Sequence, residues 1–256
     1  MDGSKVNKNA RTIDLKANSN REFFLIHGYT GSPTDFNNLG KYLHDRFNAN
    51  VKIIRLVGHG EKIESLDELE YKDFLTHAER ELKKDIAKRR KIIIGGLSVG
   101  GFIAMQLASK YPVKGVIGIS LPFEGRVMTK IITFIEPLIV KKYWKKPASK
   151  KEIQMRKNAF FYSASLLGLR VIKRGKKEVE GKLKGIKAPC LIIHVLNDKI
   201  FSVKGAYHIG RIISSKTKEV ALLNHKNRIN HNPFYSDKHK EIYKIIGDFV
   251  EKHRLF

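Results

Sequence analysis

Gly96-Leu97-Ser98-Val99-Gly100 sets a serine hydroxyl between two glycines, directly after the run Lys91-Ile92-Ile93-Ile94-Gly95. That run is short, β-branched and bounded by glycine, which predicts a buried strand. The stretch from Gly101 to Lys110 predicts a helix. A serine in a tight strand-to-helix turn stands up from the sheet, open to an incoming carbonyl. The flanking glycines answer a steric need, because side chains two positions away on either side would collide across the turn. Taken alone, the pentapeptide also fits a glycine-rich turn with an incidental serine.

A serine hydroxyl is a weak nucleophile at neutral pH and needs a histidine base oriented by a carboxylate. In a parallel sheet these groups gather on loops beyond the carboxyl ends of the strands, here after strands C-terminal to Ser98. Asp198 fits the acid, two residues past a strand ending at Leu196. A loop aspartate that only caps the next helix is the alternative reading, and the acid is preferred. Asp237 is also in range, but Ser236-Asp237 opens the last helix and reads better as a cap. His231 fits the base, just before the last helix, and His225 is its rival because it directly ends the last strand. His231 is preferred because a loop of several residues lets the imidazole reach over the sheet edge. The developing oxyanion needs preorganised N–H donors. The Val99 N–H, next to the nucleophile at a helix start, supplies one. The loop His27-Gly28-Tyr29-Thr30-Gly31-Ser32 supplies the second through the Tyr29 backbone N–H.

The elements that must position these groups alternate along the chain. Strands are expected at 22–27, 51–56, 91–95, 113–120, 190–196 and 219–223, with an edge strand near 11–16. Helices are expected at 33–47, with Ser32 as N-cap, and at 70–90, 101–110, 204–214 and 238–252. Such alternation predicts an α/β fold with a mostly parallel sheet and helices on both faces. It stops between residues 122 and 187, which read as an insertion with helical patches such as Ile153–Leu169 and no clear strand. The expected organisation is a core of 1–121 and 188–256 with a cap of 122–187.

The 256 residues are 42% hydrophobic, enough for a full-sized core. The longest apolar stretch, Ile131 to Val140, holds a glutamate and a proline and is too short to span a bilayer. The N-terminal residues show no apolar signal region, and the single cysteine, Cys190, excludes an intrachain disulfide. A soluble cytoplasmic protein is expected. The formal net charge is +25. Residues 122–187 hold 18 Lys+Arg against 5 Asp+Glu, a net +13, leaving +12 on the other 190 residues. This charge suits an anionic membrane surface, which the basic cap could meet peripherally, or anionic substrates. The plain alternative is a solvated, lysine-rich surface. No zinc-finger, RNP-like or basic-zipper pattern points to specific nucleic-acid binding.

With these pieces assembled, the chain resembles the α/β-hydrolase superfamily, above all small carboxylesterases and monoacylglycerol lipases. The matching motifs are H-G-Y-T-G-S at 27–32, G-H-G at 58–60, G-L-S-V-G-G at 96–101, N-D at 197–198 and N-H at 230–231. The resemblance strengthens His231 over His225. It also implies that Gly58-His59-Gly60 lies beside the site and that 122–187 cover an acyl pocket. Ile229-Asn230 departs from the Ser-Gly that often precedes the family's histidine. The resulting expectation is a serine esterase with no metal or cofactor, acting on a small-molecule ester, as monomer or homodimer. A basic cap that draws in anionic acyl substrates, and a non-catalytic binding protein on the same scaffold, are the alternatives.

Overall fold

The computed structural model describes residues 6–126, 143–145, 163–165, 168–224, 231–236 and 238–256. Its strands are β1 (Ile13–Leu15), β2 (Arg21–Ile26), β3 (Asn50–Ile54), β4 (Lys91–Leu97), β5 (Gly115–Ile119), β6 (Tyr143–Lys145), β7 (Ser163–Ser165), β8 (Cys190–Val195) and β9 (Lys218–Leu223). The α-helices are α1 (Leu39–Phe47), α2 (Tyr71–Ala87), α3 (Val99–Ala108), α4 (Gly168–Glu180), α5 (Lys204–Ile212) and α6 (His239–Lys252). Seven strands form one sheet in the order β1-β3-β2-β4-β5-β8-β9. Only β1 runs antiparallel to its neighbour. This is the mostly parallel α/β arrangement that the alternation predicts.

Because side chains alternate across a strand, continuous apolar runs feed two cores at once. Phe24, Ile26, Ile92, Ile94, Val116 and Ile192 face one way, against residues of α2, α3, α4 and α5. Phe23, Leu25, Ile93, Ile117, Leu191 and Ile193 face the other, against α1 and α6. Strand order reverses between β2 and β4: β3 lies outside β2, whereas β5, β8 and β9 follow on the other side of β4. The loops leaving β2 and β4 therefore diverge, and a crevice opens between them.

Two local expectations are corrected. The helix expected over 33–47 is a 3-10 turn at Pro33–Phe36, then Asn37 at φ 50°, then α1. The break turns Phe36 under the C-terminal segment, where its ring meets that of Phe234 at 5.4 Å. Ser32 does stand at the N-cap of the 3-10 turn, but its side chain caps no backbone N–H, and its Oγ instead bonds Thr34 Oγ1 at 2.7 Å. Within 122–187, β6 and β7 form an antiparallel pair where no strand was expected; most of the helical patch expected over Ile153–Leu169 lies outside the described residues, with Ser163–Ser165 in β7 and helix from Gly168. Val171 and Val179 of α4, with Leu183 and Ile186 after it, belong to the core that includes α3. So α4 serves as the crossover helix into β8, since parallel neighbours such as β5 and β8 need a long crossover connection, usually helical. Among the described residues no helix is long and apolar enough to cross a membrane.

At the starting ends of the strands the sheet buries charge. Lys52 Nζ bonds Asp85 at 2.9 Å and Glu81 at 3.0 Å, while Arg90 pairs with Glu22. Burial opposes the Lys52 charge, but the two carboxylates outweigh it and leave its pKa raised. Asp85 is 1% exposed and also holds Lys88 at 2.9 Å. Truncating it leaves the buried Lys52 ammonium with Glu81 alone, so Asp85→Ala should cost roughly 3 kcal/mol. Glu81→Ala, at a more open position, should cost about 1 kcal/mol. Urea unfolding midpoints of the two variants check the difference, and equal losses would contradict it.

Candidate active site

Ser98 occupies the turn between β4 and α3 at φ 55° and ψ −121°, a region that side chains rarely adopt. The turn survives because its neighbours over-determine it. The Ser98 N–H donates to Ile119 O at 2.8 Å, and the Gly101 and Phe102 N–H groups close on Ser98 O. A Cβ at Gly96 would sit 2.1 Å from Gly100 O, and one at Gly100 would sit 2.2 Å from Ile26 O. Only glycine permits that approach. It presses the start of α3 against the end of β2 and aims the Ser98 side chain into the crevice.

His231 lies just past β9. Its Nε2 is 2.8 Å from Ser98 Oγ, and its Nδ1 is 2.7 Å from Asp198 Oδ2. Phe201 walls the imidazole at 5.1 Å between ring centroids. Asp198 is fully buried and follows β8; its Oδ1 accepts N–H bonds from Ile200 at 2.8 Å and Phe201 at 3.0 Å. Burial alone would raise the Asp198 pKa. The His231 ring and the two backbone donors outweigh burial and bring it to about 2. A carboxylate fixed as an anion against Nδ1 leaves Nε2 free to take a proton from the Ser98 hydroxyl.

The loop after β2 passes beside the nucleophile, for a Cβ on Gly28 would lie 3.3 Å from Ser98 Cβ. Tyr29 follows, its ring edge-on to His59 and to Phe74, both at 6.2 Å. The Val99 N–H opens α3 beside Ser98 and makes no hydrogen bond among the described residues. The structure thus gathers Ser98, Asp198, His231, Tyr29 and Val99 in one crevice. The rivals His225 and Asp237 lie outside the described residues.

Other contributors carried little signal in the sequence. Arg126, seven residues past the end of β5, donates from its guanidinium to the carbonyls of Asp198 and Leu196. Its own N–H meets Ile200 O at 3.0 Å, so it ties the start of the insertion to the acid loop. His194, fully buried on β8, lies 3.9 Å from Asp198 Oδ2. Burial, its largest influence, lowers the His194 pKa and keeps it a neutral neighbour of the acid. Among the described residues no three His, Cys, Asp or Glu side chains converge as a metal site.

Solved structures share this architecture. One of two metagenome-derived lipolytic enzymes superposes with a TM-score of 0.82, at 19% identity over 97% of this chain and 100% of that one. A monoacylglycerol lipase of Paleococcus ferrophilus superposes at 0.72, with 15% identity over 94% and 98%. The chain belongs to the alpha/beta hydrolase family, whose model matches residues 23–171. It is similar to a carboxylesterase of Bacillus subtilis (strain 168), 21% identical over 89% of this chain and 91% of that protein. It is also similar to a thermostable monoacylglycerol lipase of Bacillus sp. (strain H-257), 27% identical over 78% and 79%.

The depressed Asp198 pKa has a consequence for stability. The ordinary value is 3.8 and the folded value about 2, so the fold favours the anion. That stability is present above the ordinary value and is lost as pH falls through the folded one. It should amount to roughly 2 kcal/mol at about pH 5 and a few tenths at about pH 2. Urea unfolding of wild type and Asp198→Asn across that range should show the wild type losing this extra amount. Parallel losses in the two proteins would contradict it.

Proposed function

We propose that this protein is a serine esterase that cleaves short- to medium-chain acyl esters, including monoacylglycerols, through Ser98, His231 and Asp198. The observation that carries the reading is the position of His231, within hydrogen-bond reach of Ser98 at one ring nitrogen and of Asp198 at the other. In this reading Ser98 Oγ attacks the ester carbonyl while His231 Nε2 takes its proton. Asp198 holds the ring and stabilises the imidazolium. The tetrahedral oxyanion accepts hydrogen bonds from the Tyr29 and Val99 N–H groups. Collapse breaks the ester bond, and His231 returns the proton to the departing alcohol. Water, activated by the same imidazole, then releases the acid and regenerates Ser98.

The substrate class is supported by the names of the relatives, a carboxylesterase and a monoacylglycerol lipase. Residues 122–187 form the cap over the acyl pocket in this reading, with α4 doubling as a helix of the core. Hydrolysis of p-nitrophenyl esters from acetate to palmitate tests it. Ser98→Ala should lower kcat/KM by roughly 10⁴-fold or more while leaving the fold intact. Unchanged hydrolysis in that variant would end the assignment.

The basic insertion favours a second reading of the substrate, in which the same residues act on anionic acyl compounds such as lysophospholipids or acyl thioesters. Its 18 Lys+Arg against 5 Asp+Glu would concentrate such substrates by long-range attraction. Turnover of an anionic ester should then fall severalfold between about 0.05 and 0.5 M salt, while that of a neutral ester of equal chain length holds steady. Equal salt responses would leave the neutral esters as the substrates.

A further inference from the structure

His27 and His59 are both fully buried, and neither takes part in proton transfer in the reading above. Their rings meet at 4.7 Å between centroids, one from the end of β2 and one from the loop after β3. Each is bonded at both nitrogens. His27 Nε2 accepts the Leu56 N–H at 3.1 Å, and its Nδ1 lies 2.9 Å from Gly28 O. His59 Nε2 accepts the Thr30 N–H at 3.2 Å, and its Nδ1 lies 3.0 Å from Val57 O. A nitrogen that accepts an N–H carries no proton, so in both rings the proton sits on Nδ1 and is donated to a carbonyl. Each loop thus offers a backbone N–H to the histidine of the other.

The consequence falls on Tyr29. A trans peptide is planar, so its C=O and N–H point in opposite directions. The Gly28 carbonyl belongs to the same peptide as the Tyr29 N–H, and it receives both His27 Nδ1–H and the Gly31 N–H, the latter at 3.0 Å. The Thr30 N–H belongs to the next peptide and is held by His59. The two peptide planes that flank Tyr29 are therefore each pinned by one histidine. Thr30 stands at φ 63°, so the pinned turn is one the chain would not hold unaided.

We infer that His27 and His59 are positioning residues of the oxyanion site: they fix the Gly28–Tyr29 and Tyr29–Thr30 peptides so that the Tyr29 N–H points at the developing oxyanion. The inference rests on the proposed serine-esterase reading and goes beyond it by assigning the neutral tautomer and the nitrogen that matters at each ring. At His27 the working atom is Nδ1, and at His59 it is Nε2.

Asparagine places an amide near the Nδ1 position of histidine, and glutamine places one near Nε2. The rescue pattern should therefore be crossed. His27→Asn and His59→Gln should keep kcat on p-nitrophenyl butyrate within about 3-fold of wild type. His27→Gln and His59→Asn should lose about 10- to 100-fold in kcat with KM little changed, because the oxyanion forms only in the transition state. Affinity for an alkyl boronic acid, which mimics the tetrahedral state, should fall in step with kcat. His59→Met, of glutamine's length without its amide, repeats the test if the asparagine variant does not fold. The inference is overturned if the members of each pair behave alike, if KM rises with kcat unchanged, or if every impaired variant also fails to fold while its rescuing partner folds. Activity retained in Ser98→Ala would instead remove the esterase reading beneath it, so the two failures are distinguishable.

Discussion

The contact of Gly100 with the carbonyls of Ile26 and His27 is the constraint on which the site depends. It lets α3 begin directly against the end of β2. That forces the chain to turn at Ser98 through a conformation with positive φ, and it brings the loop after β2 to the side of the nucleophile. A methyl group at Gly100 would push these two segments apart. The strain at Ser98 is sustained by hydrogen bonds to Ile119 and from α3, so the sheet and the helix together hold what the turn alone would not.

The rest of the molecule divides its labour along the strand axis. The loops at the carboxyl ends bring Ser98, Asp198 and His231 together from three separate connections. The starting ends carry the buried ion pairs of Lys52, Asp85, Glu22 and Arg90. Between them lie two apolar layers fed by alternate residues of the same strands. Asp198 is buried and fully bonded, and His194 beside it is held neutral by burial.

Much of this was legible in the residues. β-branched runs announced the central strands because a strand buried on both faces needs apolar residues at every position. Ser98 was legible because its turn demands glycine at two fixed places, and Asp198 and His231 because parallel sheets collect functional loops at one edge. What stayed hidden depended on contacts distant in sequence. The break at Asn37 answers Phe234, almost two hundred residues away, and nothing local marks it. Arg126 reads as one more basic residue until its guanidinium is seen on the carbonyls of the acid loop. The role of α4 was obscured by its charge, since a run of lysines masks the narrow stripe of Val171 and Val179 that joins the core. His59 was noticed only as part of a motif, because a tautomer is set by partners on both sides of a ring.

The bond between His231 and Ser98 spans 133 positions of sequence, and His231 arrives only after the last strand of the sheet. Synthesis runs from the N-terminus, so the Ser98 turn is made while His231 is still unmade. Pairings of such long sequence separation also form late and slowly, since loop closure must precede the contacts that reward it. A growing chain therefore holds Ser98 before the His231 imidazole can reach it. On the proposed reading, reactivity toward esters would emerge only when the C-terminal segment docks, as the closing act of folding.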